Sequence, residues 1–403
     1  MKIFRDIFSG VPVCYLTSAT LVAIFLLVVT CAEMNGADAS DATAEGKTQS
    51  SAGMTVGELK KMKKIDAHAH IWEYADTVAE VDGFGTWLDG HNMKWLDICV
   101  FVTSYGGAEI EGHDGLILQH KLGYKFNTAY PDKSTWTASF SLKDFGSKNW
   151  TQDVISMLED CFAKGAVGVK LWKDIGMTLR EPGDPDSSFV LVDDPRFTPV
   201  FDYIEKCNKT LVTHIAEPLN CWLPLDSMTI DGDAEYFRDH PDHHGYLHPE
   251  MPDFWALMET QNNLLARHPN LRVVGTHLGS LDYDVDAIAA AFDKYPNYAV
   301  DIAFRVEHLM VQDREKVRNF MIKYADRLLF GTDNILGRND IPLAEELKGF
   351  DFFYDYQYRY FATDEEVASD IAKPGFSCQG LALPADVLKK FYYENALKWY
   401  PGI

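Results

Sequence analysis

The run Lys64-Ile65-Asp66-Ala67-His68-Ala69-His70 decides how the rest of the chain is read. Its first residues suit a buried strand, and it ends in a His-X-His pair. On a strand, residues i and i+2 face the same way, roughly 6–7 Å apart, so two imidazoles can reach one metal ion from one side. With 13 His in 403 residues, about 0.4 such pairs arise by chance, so the pair gains its meaning from context. That context is a series of later apolar runs, four of which also end in a metal-ligating or charged residue.

Working outward, strands are expected over residues 65–70, 95–102, 135–141, 166–172, 211–215, 271–277, 298–302 and 328–333. Helical patterns separate them. Over 149–164, Ile155, Leu158 and Phe162 share a face, with Asn149 as the cap and Gly165 as the stop; the stretches 253–268 and 284–295 read similarly, each followed by a proline. Eight apolar runs alternating with helices predict an α/β fold of the (β/α)8 TIM-barrel type. Long loops follow the fourth strand (173–195) and the fifth (216–252), at the strand ends where barrel enzymes build active sites. The aromatic tail over 340–403 is expected to be helical and to pack on the barrel or on a second subunit, as in a homodimer.

In a closed barrel the carboxyl ends of all strands ring one mouth. His68 and His70 end the first strand, Lys170 lies near the end of the fourth, His214 ends the fifth, His277 the sixth and Asp333 the eighth. The intervals between them fit βα units of about 30–45 residues, allowing one long insertion after His214. Neutral imidazoles with a carboxylate suit one divalent transition ion, zinc first among them. Such an ion lowers the pKa of bound water and polarises a substrate oxygen.

The motifs DAHAH (66–70), THIAEP (213–218), GTHLGS (275–280) and FGTD (330–333) resemble the amidohydrolase superfamily. The nearest branch is the amidohydrolase-related group that includes aminocarboxymuconate-semialdehyde decarboxylase and related decarboxylases, hydratases and lactonases. The resemblance implies that His68, His70, His214 and Asp333 hold one metal and that His277 is the general acid/base or an electrophile beside it. It implies too that Asp333 can take a proton from metal-bound water. In binuclear relatives a fourth-strand lysine is carboxylated and bridges two ions. For Lys170 three readings stay open: contact with an anionic substrate, that bridge with a second ion, or a structural ammonium.

Glu217, just past His214, and Arg305, after the seventh strand, are further candidates for substrate binding, although a salt bridge explains either equally well. The histidines at 240–248 suggest a second metal site or, more blandly, a polar lid. Trp172 and Trp222 fit a pocket wall or a core. The expected activity is metal-dependent hydrolysis of an amide, ester or lactone in a small molecule. Decarboxylation or hydration of a small carboxylic acid is the alternative, and a non-catalytic exported binding protein is the rival from another class.

A net charge of −23 argues against a nucleic-acid partner. Residues 1–31 carry Lys2 and Arg5 ahead of an apolar stretch of about 20 residues, long enough to span a bilayer. A cleaved signal peptide, a retained anchor and a lipoprotein signal with Cys31 lipidated all place the domain outside the cytoplasm. Residues 32–55 read as a flexible linker and 56–403 as the catalytic domain. The remaining cysteines, scattered without a CxxC, read as buried small hydrophobes.

Overall fold

The expected apolar runs form strands in a computed structural model that describes residues 53–72, 83–99, 109–182, 188–337 and 342–403. They are β1 (Lys64–Ile71), β2 (Met93–Asp97), β3 (Ser134–Ala138), β4 (Gly168–Leu171), β5 (Thr210–Thr213), β6 (Arg272–Gly275), β7 (Tyr298–Asp301), β8 (Leu328–Leu329) and β9 (Asn334–Leu336). The leader over 1–31 lies outside the described residues, as does most of the linker. The second strand is shorter than expected: pairing ends at Asp97, and residues 100–102 lie outside the described residues.

All nine strands run parallel in one sheet, in the order β8-β7-β6-β5-β4-β3-β2-β1-β9. The two ends are one interrupted strand, since β9 follows β8 after four residues and pairs with β1. In the gap, Ala67 N–H donates to the Phe330 carbonyl (2.9 Å), and the N–H groups of Thr332 and Asp333 both reach the His68 carbonyl (3.2 and 2.8 Å). These bonds join the eighth strand to the first and close the (β/α)8 barrel, so the barrel sheet keeps no open edge among the described residues.

One irregularity aims the His-X-His pair. Asp66 aligns with Trp95 but Ala69 aligns with Asp97, so β1 carries one extra residue there. A bulge of this kind exchanges the two faces of a strand. Before it, Ile65 and Ala67 pack in the barrel interior with Leu96, Val167, Val212, Val274, Ala299 and Leu329. After it, Ala69 and Ile71 join the layer between sheet and helices. His68 and His70 are thereby turned together to the interior face, with ring centroids 5.0 Å apart.

The helices have readable starts. The Asp253 carboxylate caps Phe254–Arg267 by accepting from Ala256 N, and Asp284 caps Val285–Lys294 through Asp286 N. Asn149 holds the expected position before Trp150–Ala163, but its side chain makes no capping bond. Gly165 ends that turn at φ +96, a left-handed conformation.

The tail packs on its own barrel. Trp399 and Tyr400 fill the interior cluster from the amino-terminal end, and Asn395 Nδ2 donates to the carbonyls of Ala325 and Leu328 (2.6 and 2.7 Å). The helix Leu343–Ala362 lies beside the first strands, where the Trp95 indole N–H donates to the Tyr354 hydroxyl (2.9 Å). Among the described residues no helix is long and apolar enough to cross a membrane.

Closure leaves no room at Gly331, where an added Cβ would lie 2.8 Å from His68 Cβ. Gly331→Ala is therefore expected to destabilise the protein by about 1–3 kcal/mol. The denaturant midpoint measures it; an unchanged midpoint would mean that the joint between first and eighth strands gives way freely.

Candidate metal centre

The two β1 histidines are each fixed through Nδ1. That of His70 donates to the Ile98 carbonyl (2.7 Å), and that of His68 donates to Asp301 Oδ2 (2.9 Å). Both partners are acceptors, so each neutral ring keeps an Nε2 lone pair. The two lone pairs converge on Asp333 Oδ1, at 2.7 Å from His70 and 3.3 Å from His68. Lone pairs facing a carboxylate repel unless a proton or a cation lies between them.

Among the described residues, His68, His70 and Asp333 offer ligand atoms that all lie within 4.8 Å of one another. All three side chains are buried. Two imidazole nitrogens and a carboxylate oxygen fit a divalent transition ion. Burial opposes ionisation of Asp333, yet the His68 and His70 contacts hold its carboxyl well below the usual range. Burial pushes the His70 imidazole down, which keeps the neutral, ligating form.

Two further imidazoles continue the row. The His277 ring lies 4.9 Å from that of His68, and the His214 ring 4.5 Å from that of His277. His277 Nδ1 donates to the Ala303 carbonyl (2.8 Å), leaving Nε2 as its free lone pair. His214 is buried, and neither of its ring nitrogens has a hydrogen-bond partner among the described residues. Such buried, unsatisfied atoms are uncommon and call for a ligand from outside the chain. His214 nevertheless stands outside the tight group of three, so the expected four-ligand set is only partly assembled in this geometry. Burial first, then His277, Lys173, Lys170 and Arg305, pushes the His214 imidazole well below its ordinary value.

The backbone here is strained. His277, Leu278 and Ser280 are left-handed at φ +55, +58 and +61, and Asp333 is at φ +66. Each costs roughly 1–2 kcal/mol, and the cost must be met by local bonds. The Asp333 N–H donates to the His68 carbonyl, and Ser280 Oγ donates to the Ala216 carbonyl (2.6 Å).

The three expected substrate contacts differ in placement. Glu217 and Arg305 line a cavity with His214, His277 and Asp333, but each is already paired: Glu217 with Lys173, Arg305 Nε with Asp282 Oδ2 (2.7 Å). Lys170 is absent from the cavity lining among the described residues and is fully buried. Its Nζ lies 3.5 Å from Thr276 Oγ1 and 5.2 Å above the Trp172 ring, with no carboxylate in ion-pair range among the described residues. Burial pushes the Lys170 ammonium down to about 8. Trp172 also abuts His214, whereas Trp222, in the 216–252 insertion, packs on Phe254 of the helix that follows it.

Among the described residues, the histidines at 240–248 assemble no second metal group. His240 Nδ1 donates to the Tyr236 carbonyl, His243 Nδ1 pairs with the Tyr236 hydroxyl and His244 Nε2 with the Leu223 carbonyl. Cys99, Cys161 and Cys221 are buried thiols, as expected, while Cys207 and Cys378 are half-buried.

The family model described as Amidohydrolase matches residues 65–402. The chain belongs to this family. No curated protein sequence matches the chain significantly. Solved structures to which the chain is similar include 2,6-dihydroxybenzoate decarboxylase from Rhizobium, 15% identical over 84% of this chain and 98% of that one, with a TM-score of 0.48. Others are 4-oxalomesaconate hydratase from Rhodopseudomonas palustris, at 13%, 84%, 96% and 0.47, and manganese-bound 5-carboxyvanillate decarboxylase from Novosphingobium aromaticivorans, at 15%, 88%, 99% and 0.45.

Within this amidohydrolase, sequence reasoning missed Asp301 and Lys173. Asp301 ends the apolar run Tyr298–Asp301, the same signal that singled out His214 and His277. Lys173 had no comparable signal. The lowered Lys170 value has a measurable consequence. Below pH 8 both folded and unfolded chains hold the proton and the fold bears the full burial cost, on the order of 3 kcal/mol. Between about 8 and 10.5 the folded chain sheds the proton first, so the cost is relieved. Lys170→Met is expected to stabilise the metal-free protein at pH 7, with the advantage shrinking as pH rises through that window. Denaturant titrations of both proteins check this, and a pH-independent difference would contradict it.

Proposed function

We propose that this amidohydrolase is a metal-dependent lyase that decarboxylates a small carboxylic acid. The observation that carries the reading is a buried cavity in which Lys173 and Arg305, each paired with a carboxylate, stand beside His214. Lys170, Lys173 and Arg305 all act on His214, and the Lys170 ammonium, buried outside the cavity lining, has no carboxylate in ion-pair range among the described residues. A substrate carboxylate supplies the missing charge. Pro218, Phe237 and Phe304 form the apolar part of the cavity wall, and each polar residue of the cavity is at most about one-tenth exposed. Stripping water from a carboxylate favours its loss as CO2, because the charge spreads in the transition state.

A divalent ion held by His68, His70, Asp333 and, in this proposal, His214 would polarise a substrate oxygen and stabilise the charge that develops. Zn2+ and Mn2+ both suit the donors. His277 is oriented through Nδ1, so its Nε2 lone pair can take a proton from a substrate hydroxyl or solvent and return it to the substrate carbon. The carbon–carbon bond breaks, its electron pair stays on the substrate carbon, that carbon takes the proton, and CO2 departs. Hydrolysis of an amide, ester or lactone would use the same residues but needs a water molecule as reactant. The apolar stretch within residues 1–31 supports export to the cell envelope as part of the same proposal.

Elemental analysis with a CO2-release assay over aromatic and unsaturated carboxylic acids tests the reading. About one ion per chain and CO2 release are expected, with His70→Ala losing the ion and at least 100-fold in rate. Turnover of amides or lactones without CO2 would restore the hydrolase reading. A chain that takes up no ion, and in which His70→Ala changes nothing, would be a binding protein.

A further inference from the structure

We propose that Asp301 is a positioning residue that sets the tautomers of two imidazoles at once, those of His68 and His277. The proposal rests on the reading of His68 as a metal ligand. Asp301 is the last residue of β7 and is fully buried. Its two carboxylate oxygens serve different arms of the site. Oδ2 accepts from His68 Nδ1 (2.9 Å), while Oδ1 accepts from the backbone N–H groups of His277 (2.9 Å) and Ala303 (3.1 Å).

The first arm acts directly. A carboxylate only accepts, so His68 carries a proton on Nδ1 and turns Nε2, the atom that would bind a cation, toward Asp333 (3.3 Å). The second arm acts through the backbone. The Ala303 residue pinned by Oδ1 turns its own carbonyl to His277 Nδ1 (2.8 Å), so His277 also carries its proton on Nδ1. The same oxygen holds the N–H of His277, which offsets the cost of its left-handed backbone at φ +55. One carboxylate therefore leaves two Nε2 atoms free, on rings whose centroids are 4.9 Å apart. A carboxylate buried for stability alone would not need each oxygen assigned to a different histidine.

Asp301→Asn separates the arms while keeping the shape. The amide oxygen can still accept from the N–H groups of His277 and Ala303. The amide NH2 must then face His68 Nδ1, which has to become the acceptor and move its proton to Nε2, blocking ligation. Competition of Zn2+ or Mn2+ with a chromophoric chelator is expected to show affinity 10–100-fold below wild type. In 15N-edited NMR of the metal-free proteins, His68 is expected in the Nδ1–H form in the wild type and in the Nε2–H form in the variant. His277 is expected to keep the Nδ1–H form in both. An unshifted affinity in the variant, or an Nε2–H His68 in the wild type, would overturn the proposal. The wild-type spectrum decides it even if the variant fails to fold. A wild type that binds no ion refutes the metal reading instead, while the tautomer assignment still decides the role of Asp301.

Discussion

The bonds between the first and eighth strands are the constraint on which the site depends. His70 and Asp333 are 263 residues apart in sequence, yet 2.7 Å apart at their tips. They meet because residues 330–333 lie along β1, with three backbone bonds closing the ring. Asp66 ties the joint from the side. Its Oδ1 accepts the N–H groups of His68 and Thr332 (both 3.1 Å), and its Oδ2 accepts the hydroxyls of Thr332 and Tyr354 (both 2.5 Å). Burial raises the Asp66 carboxyl to about 6, and these hydrogen bonds oppose the rise. The first residue of DAHAH thus works on the eighth strand and the C-terminal helix, while the histidines of the same motif face the mouth. A polar joint of this kind specifies one register, because any slip strands a buried carboxylate.

Closure alone would not aim the histidines. With strict alternation along β1, the face that buries Ile65 and Ala67 would also take Ala69, and His68 and His70 would share the outer face with Asp66. The extra residue between Asp66 and Ala69 exchanges the faces just before the site begins. Strain follows the same line: the left-handed residues His277, Leu278, Ser280 and Asp333 lie within or beside the row of imidazoles. His277 is held by Asp301 of β7, Asp333 by His68 of β1 and Ser280 by Ala216 after β5, so the geometry belongs to the barrel rather than to any local segment.

What could be read from the sequence follows from this division. Period and polarity locate strands, so eight runs, their helices and the polar residues at their ends were all legible before any coordinates. Residue type and spacing also carried His68, His70 and Asp333 into one group. The bulge in β1 was not legible, because it depends on how β1 meets β2. Nor was the break of the last strand at residues 330–333, since FGTD looks like a continuation of Leu328-Leu329. The polar ends at Asp66 and Asp301 were visible but looked subordinate to the histidines beside or across from them. Lys170 shows a further limit. A lysine near a strand end fits substrate contact, a bridge or a structural ammonium alike, and its place against Trp172, outside the cavity lining among the described residues, depends on how the strands pack.

The substrate end of the cavity obeys a different logic. Asp233, Tyr236 and Phe237 come from the insertion after β5, yet they line the same cavity as His277 and Asp333. The insertion is clamped by charge: Asp233 accepts from Asn220 Nδ2 (2.7 Å) and pairs with His308 Nε2 (3.0 Å). His308 is shared with Asp282 (3.5 Å), which in turn holds Arg305. Against the burial penalty, the two carboxylates push the His308 imidazole up. The guanidinium that faces the cavity is thus positioned by the loops after β6 and β7 and braced by the insertion. Residues that shape the substrate end can change with the insertion while the β1–β8 joint keeps the metal end fixed. Shape therefore resides where hydrophobic period carries no signal, which is why the chemistry of this chain is easier to read than its substrate.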